Sequence, residues 1–360
     1  MIISIEEEHV KGNACLTVIG AGGGGGNAVN RMVEAGIKGV DFIAANTDAQ
    51  ALKDSRAGIR IQLGENYTRG LGAGGDPAVG EKAAEEDRDT IRDSLKNSDM
   101  VFITAGLGGG TGTGSAPVIA KISKELGALT VGVVTKPFMF EGKKRHQRAM
   151  EGLNKLSNNV DTLLVIPNQR LFSVISEGTA ATDAFTVADD VLRQAVQSIS
   201  DVITSTGLIN VDFADVKAVM QNAGEAIMGL GYGEGDNKAV KAAKSAITSP
   251  LLEDVSIEGA SGLLVNVTGA KNMTLYEINE AMELIHQSVS SESDVYFGHT
   301  IDEDLVNAMK ITVIATGCRK KQDEVRPKID SPVQSVDIPD SSEEKKKKMP
   351  AFLRKKRNKN

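Results

Sequence analysis

Short apolar runs alternate with helical patterns through the first half of the sequence, and this alternation constrains the fold more than any other feature. Five of these runs are typical of buried strands, at 16–20, 41–48, 99–106, 129–137 and 161–168. Strands that alternate with helices predict a parallel sheet with helices on both faces. Ligands of such sheets bind at the carboxyl ends of the strands, so the residues that follow these runs are the candidates for a functional site.

The pattern changes in the second half of the sequence. Apolar residues at three- and four-residue spacing predict one long helix over 183–203. Strand patterns follow at 262–269, 294–302 and 308–317, with a helical pattern at 275–289. These elements predict a second, smaller α+β domain, with the long helix as the connector between the two domains.

The chain is expected to divide into six segments. The stretch after the second domain is polar, charged and interrupted by prolines, so it cannot bury a core, and we interpret it as a disordered linker. The segments are a flexible N-terminus (1–12), the α/β domain (13–178), the connecting helix (179–206), the C-terminal α+β domain (207–318), the linker (319–348) and a C-terminal peptide with a basic end (349–360).

The charge of the chain is unevenly distributed. The net charge is −7, but residues 345–360 hold nine Lys or Arg and no acid, which leaves the rest of the chain with 32 basic and 48 acidic residues and a charge of −16. An acidic body does not favour nucleic acid, and we expect no specific nucleic-acid partner. A short basic end on an acidic body is typical of a separate docking segment.

Composition excludes several classes of protein. No apolar run approaches the ~18 residues of a membrane span, and three glutamates near the N-terminus stand where a secretory signal would need basic residues. The two cysteines and four scattered histidines lack the spacing of a disulfide scaffold or a metal site. We therefore expect a cytoplasmic protein without a metal centre of its own.

A run of five glycines follows the first predicted strand. The segment 20–28, GAGGGGGNA, satisfies the GxGxxG pattern between a strand and a helix, and glycines there let the backbone approach a phosphate closely. The pattern also fits a dinucleotide site, because Asp48 lies roughly where the acid that binds the ribose of NAD is expected. A tight turn with only a structural role is the remaining interpretation.

A second glycine-rich segment favours a nucleoside triphosphate over NAD. The segment 106–115, GLGGGTGTGS, follows another predicted strand and is expected to open a helix near Gly114. Its backbone N–H groups, the hydroxyls of Thr111, Thr113 and Ser115, and the positive end of the helix would all attract an anion. Neither segment carries the lysine of a P-loop, so backbone dipoles and a magnesium ion bound with the nucleotide would neutralise the phosphates.

These two segments and several others resemble one protein family. Over about residues 14–317 the chain is similar to the FtsZ family, the tubulin-like GTPases of bacterial cell division. The matching segments occur in the order of the family and are GAGGGGGNAVNRM, NTDAQAL, GLGAGGDP, GGGTGTGS, TKPFMFEGKKR and NVDFADV.

The resemblance implies a fold and an activity. The fold is a Rossmann-like tubulin/FtsZ GTPase domain at 13–178 with a parallel sheet, the long connecting helix and the smaller C-terminal domain. The ligands would be GTP or GDP with Mg²⁺. The chain would polymerise head to tail into the filaments of the bacterial division ring, recruit other division proteins, hydrolyse GTP when polymerised, and assemble at midcell under the inner membrane.

The resemblance also assigns residues to the nucleotide. Glu141 would hold the ribose hydroxyls and Arg145 would lie near the phosphates, although residues four apart on a helix also form ordinary surface ion pairs. The base would be recognised by Asn27, Asn168, Phe185 and Asp190, since a carboxylate accepts two N–H donors of guanine and an aromatic ring stacks on the base. Otherwise Phe185 is a core residue and Asp190 a solvated helix acid. The full expected nucleotide-binding set is Gly23, Gly24, Gly25, Gly26, Asn27, Gly108, Gly109, Gly110, Thr111, Gly112, Thr113, Glu141, Arg145, Asn168, Phe185 and Asp190.

The segment 210–220, NVDFADVKAVM, carries the expected catalytic residues. By local pattern Asp212 is a helix N-cap and Asp215 an acid of the first turn, which is a stabilising helix start. In the family this segment belongs to the next subunit of the filament. There Asp212 and Asp215 would polarise the attacking water, and Asn210 would help to position it.

The end of the chain, MPAFLRKK at 349–356, resembles the C-terminal docking peptide of the family. Pro350, Phe352, Leu353 and Arg354 would bind membrane adaptors of the FtsA or ZipA kind, as a short segment that orders in a partner's groove. The nine basic residues could also make weak direct contact with anionic lipid. A tail that serves only solubility would leave the two apolar side chains unexplained.

Two other functions remain open on sequence alone. A Rossmann oxidoreductase could use NAD through the first glycine segment, but it leaves the second segment and 210–220 unexplained. A nucleotide-dependent scaffold without catalysis would leave Asp212 and Asp215 without a role.

Overall fold

The computed structural model describes residues 14–173, 175, 178–204, 211–252 and 257–318. Ten strands lie within these residues, in one sheet with the order β3-β2-β1-β4-β5-β6-β7-β10-β8-β9. The strands are β1 (Leu16–Ala21), β2 (Val40–Asn46), β3 (Ile59–Gln62), β4 (Met100–Gly106), β5 (Leu129–Lys136), β6 (Thr162–Pro167), β7 (Gly224–Glu234), β8 (Gly262–Gly269), β9 (Asp294–Ile301) and β10 (Ala308–Thr316).

Helices connect these strands and cover both faces of the sheet. The α-helices of the described residues are α1 (Gly22–Glu34), α2 (Ala49–Lys53), α3 (Glu65–Thr68), α4 (Pro77–Glu86), α5 (Arg88–Leu95), α6 (Thr111–Glu125), α7 (Lys143–Ser157), α8 (Ala181–Thr204), α9 (Phe213–Met220), α10 (Lys238–Ile247) and α11 (Leu275–Gln287). Short 3₁₀ turns lie at Met139–Glu141, Asn168–Ser173 and Ile257–Gly259. None of these helices is both long and apolar enough to cross a bilayer.

The first six strands are all parallel to their neighbours, as the alternating sequence pattern predicts. Successive residues of a strand point to opposite faces, and β4 shows how this builds two cores. Met100 and Phe102 pack with residues of α1 and α8, whereas Val101 and Ile103 pack with residues of α4, α5, α6 and α7. The predicted sheet with helices on both faces is therefore confirmed.

The C-terminal strands continue the same sheet. β6 pairs with β7 in parallel, and β10 pairs with β7 and with β8 in antiparallel directions. A third core lies under α10 and α11. The predicted long helix appears as α8, and the strand patterns at 262–269, 294–302 and 308–317 appear as β8, β9 and β10.

Strand β7 and helix α10 were not predicted, and their contact explains why. Three alternate residues of β7, Gly229, Gly231 and Gly233, face the backbone of α10. A Cβ atom on them would lie 2.1, 1.9 and 2.0 Å from carbonyl oxygens of Ala246, Ala242 and Lys238. The strand thus lacks the bulky residues that normally indicate a buried strand, because a helix packs directly on its backbone.

One of the helical patterns that alternate with the strands forms two helices. The helical pattern from about Glu81 to Leu95 forms α4 and α5, and Asp87 lies between them. The Asp87 carboxylate accepts a hydrogen bond of 2.6 Å from the backbone N–H of Gly64. This contact with a distant segment accompanies the break, and the local pattern could not reveal it.

The expected flexible N-terminus, linker and C-terminal peptide lie outside the described residues. The docking residues Pro350, Phe352, Leu353 and Arg354 lie there too, as does Asn210.

Candidate functional site

The two glycine-rich segments lie at the point where the strand order reverses. From β1 the sheet continues through β2 to β3, and from β4 it continues in the other direction through β5 to β6. β1 and β4 are neighbours, with Ala21 opposite Ala105 at their carboxyl ends. Such a reversal opens a crevice at the carboxyl edge of a sheet, where ligands of α/β proteins bind.

Some glycines of the two segments are needed because the segments touch each other. A Cβ atom on Gly22, whose φ is +71°, would lie 2.7 Å from the backbone nitrogen of Gly112. A Cβ atom on Gly25 would lie 2.3 Å from the carbonyl oxygen of Thr104 in β4. These glycines therefore permit close packing of the α1 and α6 starts, which is the structural role considered for the segments.

Other glycines of the same segments face open space. A Cβ atom on Gly23, Gly26 or Gly109 would meet no heavy atom within 4 Å among the described residues. Packing does not require glycine at these positions. They leave the backbone accessible to a ligand, as a phosphate-binding turn requires.

Both helices at this crevice begin without a side-chain cap. α1 starts directly after Ala21 and α6 after Gly110, and within the described residues neither start has a capping side chain or an acid in its first turn. The first N–H groups of a helix need a partner, and the positive end of the helix dipole attracts an anion. Two uncapped helix starts side by side can hold adjacent phosphate groups.

Hydroxyl groups fix the shape of the second segment. The Thr113 hydroxyl accepts a hydrogen bond from the backbone N–H of Gly108 at 2.8 Å, and the hydroxyls of Thr111 and Thr47 lie 2.6 Å apart. Ser115 donates to the carbonyl oxygen of Thr111 at 2.7 Å. Helix α6 begins at Thr111, earlier than the predicted start near Gly114, so Thr111 and Thr113 belong to its first turn.

Glu141 and Arg145 lie beside the second segment. The spacing of four residues predicts that they share a helix, but in the structure they belong to different elements. Glu141 ends a 3₁₀ turn and Arg145 belongs to α7, with Gly142 between them at a φ of +97°. Their ion pair measures 3.0 Å, and Glu141 also accepts a hydrogen bond from the backbone N–H of Phe138 at 2.8 Å. A Cβ atom on Gly108 would lie 2.7 Å from Cγ of Arg145, so the arginine packs on the second segment.

A pocket of about 530 Å³ lies between α1 and α8. Asn27 and Phe185, two residues of the expected base set, line it together. Phe185 is 42% exposed, so it is not a core residue. Its ring lies 5.4 Å from the ring of buried Phe138, and Phe140 and Phe172 complete the aromatic cluster. The sequence pattern does not indicate this cluster, whose residues come from three separate parts of the chain.

Asp189 of α8 lines this pocket, whereas the predicted Asp190 is not among the residues that line it. Residues four apart share one side of a helix, so Asp189 lies on the side of Phe185, and the next residue is turned away from it. Asp190 instead accepts hydrogen bonds from Arg193 at 2.6 Å and Gln194 at 2.5 Å. At this pocket the structure therefore presents the carboxylate of Asp189 rather than that of Asp190.

The two neighbouring carboxylates titrate differently. Burial raises the pKa of Asp189 to about 6, although Arg31 at 3.6 Å opposes the shift. Burial also acts on Asp190, but the hydrogen bonds from Arg193 and Gln194 outweigh it and lower the pKa of that carboxyl. Asp189 is thus a buried acceptor at the pocket, whereas Asp190 is committed to side chains of its own helix.

Two further side chains bear on the nucleotide assignments. Asn168 follows β6 and is buried, and its Oδ1 has no hydrogen-bond partner in the described part of the chain. Asp48, the acid that an NAD site would use for the ribose, caps α2 by accepting from the backbone N–H groups of Gln50 and Ala51 at 2.8 and 3.3 Å. That carboxylate is therefore occupied by a structural role.

Asp212 and Asp215 form the helix start that the local pattern predicts. Asp212 is the N-cap of α9 and accepts a hydrogen bond of 2.9 Å from the backbone N–H of Asp215. The last residue of α9, Met220, accepts a hydrogen bond from the Thr162 hydroxyl at 2.5 Å. Thr162 is the first residue of β6, so α9 is attached at the amino edge of the parallel strands.

Helix α9 is too short to bring Asp212 and Asp215 from the amino edge of the sheet to the crevice at the carboxyl edge. Eight helical residues span about 12 Å, whereas the six residues of β6 span about 20 Å. The start of α9 therefore stops short of the carboxyl edge, even if the helix ran straight towards it. The structure does not bring Asp212 and Asp215 together with the glycine-rich segments of the same chain.

Within the described residues, no group of three or more His, Cys, Asp or Glu could hold a metal ion.

Two family models match the chain. The model described as "Tubulin/FtsZ family, GTPase domain" matches residues 16–176, and the model described as "FtsZ family, C-terminal domain" matches residues 224–319. The first match covers β1 to β6 with both glycine-rich segments, and the second covers β7 to β10.

Solved structures of similar proteins agree with these matches. A structure titled as an empty FtsZ dimer from M. jannaschii is 45% identical, with a TM-score of 0.83 over 91% of this chain and 96% of that chain. A point mutant of FtsZ from M. jannaschii is 48% identical, with a TM-score of 0.82 over 85% and 92%. CetZ1 from Haloferax volcanii, solved as a GDP-bound monomer, has the same fold at 24% identity and a TM-score of 0.72 over 84% and 94%.

Proposed function

The chain belongs to the FtsZ family of tubulin-like GTPases, and from this premise we propose that it is a filament-forming GTPase that hydrolyses GTP between two of its subunits. GTP and GDP are the ligands of this family. One observation carries the proposal: the crevice for the nucleotide and the helix start with Asp212 and Asp215 lie apart in one chain. A second copy, stacked head to tail, would supply the missing half of the site.

The phosphates of GTP would lie on the uncapped starts of α1 and α6. The accessible backbone at Gly23, Gly26 and Gly109 supports this placement. Arg145, which packs on the second segment, would approach the phosphates, and Glu141 would hold the ribose hydroxyls. The remaining glycines of the predicted set would act by allowing close packing: Gly24, Gly25 and Gly112 between β1, β4 and the two segments, Gly108 against Arg145, and Gly110 against Ala73 and Asp76.

The base would lie in the pocket between α1 and α8. Phe185 would stack on it, with Asn27 at its edge and Asp189 in the role that had been assigned to Asp190. An ionised carboxylate accepts the N1–H and N2–H donors of guanine, whereas adenine presents one acceptor and one donor at that edge. Asn168, whose Oδ1 lacks a described partner, would complete the recognition.

A magnesium ion would accompany the nucleotide. Mg²⁺ commonly binds through substrate phosphates with one or two protein ligands. The described residues of the two glycine-rich segments offer hydroxyl and backbone oxygens, with Thr47 and Thr111 adjacent, and they offer no carboxylate. This donor set fits an ion held mainly by phosphate oxygens. When bound, the ion would neutralise phosphate charge.

Hydrolysis would then depend on positioning and charge, as phosphoryl transfer generally does. Asp212 and Asp215 of the next subunit would polarise a water that attacks the γ-phosphorus, while the bond between that phosphorus and the bridging oxygen breaks. Asn210 of that subunit would help to orient the water. Contact of one face with a different face produces a filament when the rotation between neighbouring subunits does not close into a ring. One of the similar structures, CetZ2 from Haloferax volcanii, is titled as a protofilament with bound GTPγS.

In the cell, the filament would form the division ring at midcell and recruit other division proteins. Residues 349–356 would dock on membrane adaptors of the FtsA or ZipA kind, and the basic end would add weak contact with anionic lipid. Deletion of 345–360 should remove membrane recruitment and leave GTP hydrolysis intact.

Phosphate release from GTP, measured over a series of protein concentrations with light scattering on the same samples, tests the shared site. Turnover per subunit should be near zero below a threshold concentration and should rise together with scattering. Turnover per subunit that does not change with concentration would mean a site complete within one chain. Asp212 and Asp215 would then have only their capping role.

A further inference from the structure

Arg31 crosses from α1 to α8 at the wall of the base pocket. Its Nη2 donates a hydrogen bond of 2.9 Å to the Thr186 hydroxyl. Its Nε lies 3.6 Å from Oδ2 of Asp189, which is an ion pair longer than a hydrogen bond. Nε is also buried without a hydrogen-bond partner among the described residues. One guanidinium therefore contacts two residues on the pocket side of α8.

Few charges face Asp189. Among the described residues, the charged side chains that line the pocket are Arg31 and Glu34 from α1 and Asp189 itself. Glu34 is paired with Arg56 at 3.2 Å. The elements packed on the other sides of α8 are β5, β8, β9 and the 3₁₀ turn at Asn168–Ser173. They contribute Val131, Val133, Leu264, Leu171 and other apolar side chains to the shared core, and Tyr296 of β9 is partly buried against it. Arg31 is thus the cation that balances Asp189 at this pocket.

We propose that Arg31 is a positioning residue for base recognition, which keeps the Asp189 carboxylate ionised and oriented so that the site selects guanine. The inference rests on the proposed function, because it assumes that Asp189 contacts the base. Arg31 acts through Asp189, and its tether to Thr186 fixes the guanidinium against α8.

The chemistry of the two protonation states explains the selection. An ionised carboxylate has two acceptor oxygens and matches the two N–H donors of guanine. A protonated carboxyl has one donor and one acceptor, which matches the N1 acceptor and N6–H donor of adenine instead. Burial of Asp189 favours the protonated form, and an adjacent cation favours the ionised form. Without Arg31, the affinity of the pocket for guanine would fall and its affinity for adenine would rise as the pH falls.

Equilibrium binding of GTP and ATP between pH 5.5 and 8.5 tests this inference without reference to hydrolysis. For the wild-type chain, GTP binding should weaken as the pH falls through about 6, the pKa of Asp189. Arg31→Gln should move that midpoint upward by about one pH unit, so that GTP binds about fivefold more weakly at pH 6, and the loss approaches tenfold only below that pH. The preference for GTP over ATP should fall most at low pH.

Arg193→Gln is the matched control. It removes a guanidinium that pairs with Asp190 at 2.6 Å and leaves the pocket side of α8 unchanged. Its pH midpoint and selectivity should equal those of the wild-type chain. A purely structural role of Arg31 would weaken both nucleotides equally at every pH. That result, or an unchanged midpoint in Arg31→Gln, would overturn the inference.

Two more variants complete the design. If Arg31→Gln does not fold, as judged by circular dichroism, Arg31→Lys tests the inference instead. Its pH midpoint should stay at the wild-type value, because the positive charge remains. Its affinity for GTP should fall, because a compact ammonium group replaces the planar guanidinium that contacts both Asp189 and Thr186. Unchanged affinity would contradict positioning. Asp189→Asn should bind GTP more weakly and xanthosine triphosphate more tightly, because the 2-oxo group of xanthine accepts a hydrogen bond from the side-chain NH2 of asparagine. Normal GTP binding by Asp189→Asn would disprove the assignment of Asp189 to the base. Loss of GTP binding in Asp189→Asn, together with a wild-type pH midpoint and selectivity in Arg31→Gln, would disprove only the role of Arg31.

Discussion

The starts of α1 and α6 differ from the start of α9 in a way that reflects their functions. The first two begin with glycine-rich turns, without a side-chain cap in the described structure, at the carboxyl edge of the sheet. Helix α9 begins with the Asp212 cap and a second acid, Asp215, in its first turn. Two helix starts are thus open to an anion, and one carries its own negative charge.

This difference indicates how the proposed reaction is divided between subunits. The groups proposed to hold the nucleotide lie at one edge of the sheet in a single chain. The acids that would activate water belong to a helix attached at the other edge by Met220 and Thr162. The three predictions below test this division, from the largest expected effect to the smallest.

Mixing two inactive variants gives the largest expected effect. Asp215→Asn should bind GTP and polymerise but lose turnover by about 100-fold or more, as expected for loss of a general base. Gly109→Ala should fold, because its Cβ meets open space, but should lose nucleotide binding. An equal mixture should recover about a quarter of wild-type turnover, since that share of random head-to-tail contacts pairs an intact crevice with intact acids. No recovery in the phosphate-release assay would contradict a site shared between copies.

Two adjacent glycines separate packing from binding. Gly25→Ala places a methyl group 2.3 Å from the Thr104 carbonyl oxygen and should cost several kcal/mol of folding stability. Gly26→Ala should stabilise the nucleotide-free chain by up to about 1 kcal/mol, because alanine favours a helix and its Cβ meets open space. The same change should weaken GTP binding. Thermal unfolding and nucleotide titration of both variants measure this, and equal destabilisation would mean that the open glycines also serve packing.

The smallest effect separates the two roles of Asp212. Asp212→Ala removes the cap of α9 and should cost about 1 kcal/mol of stability, whereas Asp212→Asn retains a capping oxygen and should cost little. Both should reduce turnover, because neither side chain can accept a proton. Chemical unfolding and phosphate release on the two variants give the comparison. Full turnover in Asp212→Asn would mean that Asp212 only caps α9 and has no role in hydrolysis.

Features with a local cause could be predicted from the sequence. The parallel strands follow from their apolar runs, α8 from its helical spacing, and the crevice from two glycine-rich segments that each follow a strand. Asp212 as a helix cap likewise depends only on residues next to it in the chain.

Features that depend on distant contacts could not be predicted. Strand β7 has glycine where α10 packs on it, so its sequence resembles a loop. Asp87 interrupts a helix while it binds Gly64, far away in the sequence. Which of Asp189 and Asp190 lines the pocket likewise could not be predicted, because only the position of α1 decides which side of α8 faces it.

The joint between β6 and β7 has a mechanical consequence. These strands pair only through Thr162, Leu163 and Leu164, whereas the strands on either side pair along most of their length. A sheet that is stiff on both sides of a short joint bends most easily along that line. Helix α8 packs on β5 to one side of the joint and on β8 and β9 to the other, and so acts as a brace across it. A bending load across this joint would therefore be resisted mainly by α8, with the joint as the hinge.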